Sequence, residues 1–182
     1  MTQIQNFKMF IDGEWLESSS GKKIETLNPE TNEVWATVPE ANKEDVDKAV
    51  KAAQNAFNRS WSTLHPKERA KFLRNIGDLL RKNAEHLGKI ETIDTGKLYK
   101  ETKSQAIYIA EYYDYYAGLA DKVEGTVVPI DKPDMQVTTT RMPIGVIAAI
   151  IPWNSQMLLT AVKLAPALAM GNTVVIKASE LA

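Results

Sequence analysis

Gly145-Val146-Ile147-Ala148-Ala149-Ile150-Ile151 leads into Pro152-Trp153-Asn154-Ser155, then Gln156 to Met170, Gly171-Asn172 and Thr173-Val174-Val175-Ile176. The opening run is apolar throughout, too short for an ordinary helix and bounded by Gly and Pro, which predicts a strand buried on both faces. Gln156 to Met170 is rich in Leu, Ala and Met, the composition of a buried helix, and Gly171-Asn172 suits its C-terminus. Residues 173–176 are β-branched and predict a second strand with a polar exit at Lys177-Ala178-Ser179-Glu180. A strand, helix and strand of these lengths pair most simply in parallel, through a right-handed crossover. The fold class is therefore α/β.

Such a unit delivers the carboxyl ends of both strands to one sheet edge, where open α/β sheets bind ligands. The residues delivered are Ile151, Pro152, Trp153 and Asn154 from the first strand and Lys177, Ser179 and Glu180 from the second. Lys177 can donate to a ribose hydroxyl or phosphate. Glu180 can accept from ribose hydroxyls and repels a 2′-phosphate, so a dinucleotide site is expected, for NAD in preference to NADP. No Gly-x-Gly-x-x-Gly lies between strand and helix, so this is not an ordinary Rossmann first turn. Each residue also has a plainer reading: Lys177 and Glu180 as a solvated strand exit, Asn154 as a turn or helix-cap residue, Lys163 as a snorkelling side chain on one wet helix face.

Pro143-x-Gly145-Val146, Ile151-Pro152-Trp153-Asn154, Lys163-x-Ala165-Pro166-Ala167-Leu168-Ala169-x-Gly171-Asn172-Thr173 and Lys177-x-Ser179-Glu180 together resemble the aldehyde dehydrogenase superfamily. The likeness runs back through Asp94-Thr95-Gly96-Lys97 to the amino-terminal hairpin. It implies the amino-terminal part of a Rossmann-like parallel-sheet domain, with a partial NAD-binding domain at 1–123 and 142–182, an oligomerisation hairpin at 124–141, and the catalytic domain absent. It implies that Asn154 donates to the oxyanion forming on the aldehyde carbonyl. Lys163 would join a charge network near the active site, and Lys177 and Glu180 would hold the adenosine ribose, with Ile151 and Trp153 walling the pocket. In the family a Cys thiolate attacks the aldehyde and a Glu helps water release the acid. Both residues would follow Ala182, so the chain is expected to be inactive alone.

Composition narrows the alternatives. The 182 residues, 44% hydrophobic and 25% charged, suffice for the core of one domain. A net charge of -1 gives no electrostatic case for nucleic acid or an anionic membrane. Neither a membrane-length apolar run nor a signal-peptide pattern is seen, and the expected location is the cytoplasm. The chain has no Cys, which excludes disulfides, Cys-ligated metals and a thiol nucleophile of its own. His65 and His86 have no partner at metal or triad spacing.

From the amino terminus, Asp12-Gly13 between apolar-rich arms predicts a hairpin, and Ile24 to Leu27 and Val34 to Val38 predict two more strands of a small antiparallel patch. The resemblance assigns Thr26, Leu27, Asp94 and Leu181 to a monovalent cation. The plainer reading makes Thr26 a strand residue and Asp94 a helix-end carboxylate. Asn42 caps a helix with Val46, Ala49, Val50, Ala53 and Phe57 on one face. Pro66 opens a second, with the stripe Leu73, Ile76, Leu79 and Leu80. A third spans about Ala84 to Gly96, and a fourth, rich in Tyr, about Tyr99 to Gly118, where the aromatics predict packing. Pro166 is expected to kink the last helix.

Glu124 to Ile130 and Gln136 to Arg141 read as strand-like arms of an exposed ribbon, which in the resembling family pairs with another subunit. A homo-oligomer through 124–141 is expected; a hairpin covered by its own chain is the alternative. Ser155-Gln156 stands where the family usually has Phe-Pro, and Ala178 where it usually has Pro. Weaker or less ordered cofactor binding is expected from both. An alternative to an enzyme fragment is a non-catalytic nucleotide-binding or subunit-interaction protein from a truncated frame. In either case a large exposed apolar face is expected.

Overall fold

In the computed structural model, which describes residues 4–181, the chain opens with β1 (Gln5–Asn6), β2 (Met9–Ile11), β3 (Glu14–Leu16), β4 (Lys23–Asn28) and β5 (Glu33–Pro39). Four helices follow: α1 (Lys43–Arg59), α2 (Pro66–Lys82), α3 (Ala84–Thr95) and α4 (Tyr99–Leu119). Then come β6 (Val127–Val128), β7 (Val137–Thr138), β8 (Val146–Ile150), α5 (Gln156–Ala169) and β9 (Thr173–Lys177).

β8 and β9 pair in parallel, Val146 beside Thr173 through Ile150 beside Lys177, as the strand–helix–strand pattern requires. Between them α5 ends in a Schellman motif. Gly171 takes φ +85°, and its N–H and that of Asn172 reach back to the carbonyls of Leu168 and Ala167. The buried Asn172 side chain then turns to the entry of β8: its Oδ1 accepts from Ile144 N at 2.8 Å and Gly145 N at 3.2 Å, and its Nδ2 donates to Ala167 O at 3.3 Å. One side chain thus fixes where β8 begins relative to where α5 ends.

Burial of β8 on both faces is not observed. Ala149 and Ile151 are buried, but Ala148 is exposed and Ile150 is 68% exposed. α1 packs against this sheet and holds it where Thr173 Oγ1 donates to Ala53 O at 3.0 Å. Thr173 pairs with Val146 at the start of the sheet, whereas Ile150 lies at its far end.

The main core lies where α2, α4 and α5 meet, around Leu73, Ile109, Tyr113, Ala117, Ala161 and Ala165. Burial of Tyr113 pushes its hydroxyl up to about 12, which fits the packing role expected of this aromatic. Small residues let the helices close: a Cβ on Gly77 would stand 3.1 Å from Ala110 O, and one on Gly88 only 2.8 Å from Lys103 N. The expected stripe of α2 is corrected at Leu79, which is exposed, while Arg69, Ala70, Leu73 and Gly77 are buried. Arg69 is buried because its Nε donates to Ala169 O at 3.0 Å and its guanidinium also bonds Leu64 O.

Helix α1 has the capping box expected at Asn42, yet Val46 and Val50 on its apolar face are exposed. Ile144, Ile150, Ile176 and Trp153 are exposed as well. At the amino terminus β2 and β3 form the Asp12-Gly13 hairpin, both turn residues at positive φ. β4 pairs antiparallel with β5 through a bulge at Thr26/Leu27, but β1 adds to β5 in parallel, so the patch is mixed rather than antiparallel. The arms within 124–141 are also shorter than predicted: only β6 and β7 pair, over two residues each. Pro129 and Pro133 supply no N–H, and beyond the ladder Thr126 N turns instead to Thr139 Oγ1 at 2.9 Å. Among the described residues no helix is long and apolar enough to cross a membrane.

Candidate functional site

The parallel register decides what meets at the carboxyl edge. Ile150 stands beside Lys177, and Ile151 N donates to Lys177 O at 2.9 Å, so the segments 151–154 and 177–180 leave the sheet side by side. Ile151 is buried beneath them. Pro152, Trp153 and Asn154 are exposed, Trp153 at 58%. Across the edge Lys177 Nζ lies 2.9 Å from Glu180 Oε2, and both side chains are open to solvent. The Lys177 hydrogen bond, aided by the Glu180 backbone N–H and the Lys177 charge, holds the Glu180 carboxyl below its usual range. An exposed pair of this kind adds little stability; its two heads are free to be taken by a ligand. Ser179, half-buried, accepts from Leu181 N at 3.1 Å and shapes the exit from β9. The edge is an open shelf. A cleft does form between the β2–β3 hairpin and α1, lined by residues such as Ile11, Glu44 and Lys48, and it contains none of these side chains.

Asn154 does not cap α5. The cap position belongs to Ser155, and the Asn154 side chain is exposed, with no hydrogen bond to the described residues. An unengaged amide donor therefore projects from the end of β8. Lys163, half-buried on α5, has no ion pair or hydrogen bond among the described residues, so the charge network expected around it is not formed within this part of the molecule.

Thr26 and Asp94 do come together. Thr26 Oγ1 donates to Asp94 Oδ1 at 2.8 Å, and Asp94 Oδ2 accepts from Gln156 Nε2 at 3.2 Å. Leu27 and Leu181 are exposed. Among the described residues no group of three or more His, Cys, Asp or Glu side chains is arranged to hold a metal ion.

Sequence reasoning missed a second cluster behind the same turn. Lys97 Nζ lies 2.8 Å from Glu91 Oε1, on a carboxylate that is only 4% exposed, and 2.9 Å from Ser155 Oγ. Gln105 Nε2 reaches the same hydroxyl at 3.4 Å. The available signal was chemical: Ser155 and Gln156 put polar side chains where an aromatic and a Pro were expected.

Against known proteins, the model of the aldehyde dehydrogenase family matches residues 15–182. The chain is 52% identical over 178 residues to (Z)-2-((N-methylformamido)methylene)-5-hydroxybutyrolactone dehydrogenase of Acinetobacter baylyi, covering 97% of this chain and 36% of that protein. It is 43% identical over 174 residues to betaine aldehyde dehydrogenase of Bacillus subtilis, covering 95% of this chain and 36% of that one. Its structure matches betaine aldehyde dehydrogenase from Staphylococcus aureus in complex with NAD+, with a TM-score of 0.92 at 39% identity over 96% of this chain and 35% of that chain. The chain thus spans little more than a third of these relatives.

Proposed function

The chain belongs to the aldehyde dehydrogenase family, and from that premise we propose that it forms the amino-terminal part of an NAD-dependent enzyme oxidising an aldehyde to a carboxylic acid. The observation that carries the reading is the carboxyl edge, where Ile151 N bonds Lys177 O, so that the turn carrying Asn154 and the Lys177–Glu180 pair leave the same end of the sheet. The residues present fit the adenosine side of NAD. Lys177 offers an ammonium donor, and Glu180 is a carboxylate kept ionised that can accept from two ribose hydroxyls and repels a 2′-phosphate. NAD, when bound, supplies the hydride acceptor.

In this reading Ile151, Pro152 and Trp153 form the wall of the cofactor site. Asn154 holds an amide N–H toward charge developing on the carbonyl oxygen, and Lys163 acts through partners outside the described residues. The thiol nucleophile is not among these 182 residues, which contain no Cys. Thr26, Leu27, Asp94 and Leu181 are assigned to a monovalent cation: each Asp94 oxygen accepts only one bond here and retains a further lone pair. The 124–141 hairpin, with Val127 65% exposed, is assigned to pairing with a second copy of the chain. The proposed location is the cytoplasm.

The test is isothermal titration with NAD and NADP. NAD should bind more tightly, and E180Q should narrow the gap. Equal affinity for the two cofactors in the unaltered protein would remove the role given to Glu180. NAD binding with no aldehyde oxidation by any longer product of the same source would favour a non-catalytic nucleotide-binding or subunit-interaction protein.

A further inference from the structure

We propose that Ser155 is a positioning residue that latches the turn carrying Asn154 to Lys97, the partner of the buried Glu91. A Ser at the start of a helix ordinarily turns its hydroxyl inward to accept from the second or third N–H of that helix. Ser155 occupies this position at α5 but makes no such bond. Its Oγ faces the other way, to Lys97 Nζ at 2.9 Å and Gln105 Nε2 at 3.4 Å.

Lys97 is a firm anchor rather than a wandering surface side chain. It is tied at 2.8 Å to Glu91, a carboxylate that is 4% exposed and would be costly to leave without a partner. Its backbone follows the left-handed Gly96 that closes α3. The next residue repeats the arrangement: Gln156 Nε2 bonds Asp94 Oδ2 at 3.2 Å. Consecutive residues at the head of α5 are therefore held by the two charged ends of Asp94-Thr95-Gly96-Lys97. A Pro at position 156 would stiffen the turn locally by pre-setting φ. This chain has no Pro there and fixes the turn from outside through the two side chains. The consequence for chemistry rests on the proposed role of Asn154, whose amide must stay where the oxyanion forms.

Four variants of the full chain test the latch: S155A, S155T, K97M and the double S155A/K97M. The readout is hydrogen exchange at the Leu159 amide, which bonds Ser155 O at 2.9 Å in the first turn of α5. S155A should speed exchange about tenfold, K97M at least as much because it also strips Glu91 of its partner, the double variant no more than K97M alone, and S155T should keep the protection of the parent. Because the Ser155 hydroxyl does not cap α5, loss of a cap would not produce that pattern. In the aldehyde-oxidising protein S155A, K97M and the double variant should lower kcat with the KM for NAD unchanged, and S155T should not. Unaltered exchange in S155A, or additive effects in the double variant, would overturn the latch. Altered exchange in S155A with full activity in N154A would keep the latch and remove the oxyanion role. Inactive N154A with S155A unchanged in both exchange and kcat would do the reverse.

Discussion

Replacing Asn172 by Ala tests how the strand–helix–strand unit is held together. The side chain is 8% exposed and serves three backbone groups: Ile144 N at 2.8 Å, Gly145 N at 3.2 Å and Ala167 O at 3.3 Å. Ala167 O keeps another donor, Asn172 N at 3.0 Å, so its loss matters little. Gly145 N would be left buried without a partner, costing about 1–3 kcal/mol, and Ile144 N, more open, adds a smaller amount, so N172A should cost about 2–4 kcal/mol. With a urea slope of about 2 kcal/mol/M, the unfolding midpoint followed by circular dichroism should fall by about 1–2 M without a change of slope. The reasoning fails if N172A lies within about 0.5 kcal/mol of the parent, the range of an ordinary surface substitution.

Gly88→Ala should lower the melting temperature, by overpacking worth about 1–3 kcal/mol, because the new Cβ would stand 2.8 Å from Lys103 N and 2.9 Å from Lys103 Cα. Gly118→Ala in the same pair of scans should raise it, since that site on α4 has nothing within 4 Å of an added Cβ and Ala favours helix. Arg69→Lys should cost about 1–3 kcal/mol in chemical denaturation, because one ammonium does not span the carbonyls of Ala169 and Leu64 that the guanidinium bonds together. Asp45 governs an acid limb. The Asn42 N–H, then those of Ser19 and the Ser18 hydroxyl, outweigh burial and hold its carboxyl below 3.8. Its contribution is therefore complete above that value and is lost as pH falls through the lower folded pKa. Thermal midpoints measured from about pH 6 to pH 2 should fall less steeply at the acid end in D45N than in the parent.

Much of the fold was legible because local signals agreed with one another. Asn42 with Asp45, Pro66, Asp12-Gly13 and Gly171 each state a start, a turn or a stop in terms of backbone chemistry, and each stands where the structure uses it. The misreadings share a different cause. Val46, Val50, Leu79 and Ile150 fit apolar stripes but are exposed, because periodicity reports which face of an element is apolar and says nothing of whether another element covers it. The short β6–β7 ladder and the parallel addition of β1 depend on which backbone groups find partners across the fold. No window of adjacent residues contains that information.

The site divides along the same line. That Ile151 to Asn154 and Lys177 to Glu180 share an edge follows from the order of two strands and a helix, so it was legible from pattern alone. What each side chain does at the edge depends on its neighbours. Ser155 shows the difference: it stands at the N-cap of α5, and its hydroxyl instead faces Lys97, which lies 58 residues away. Lys97 in turn is fixed by Glu91, a buried charge on a helix whose sequence does not mark that carboxylate as buried. A residue that breaks an expected local pattern, as Ser155 and Gln156 do at the head of α5, has given up local preorganisation. If the turn it belongs to must stay ordered, the replacement has to be tertiary, and the place to look for it is among the buried charges within reach.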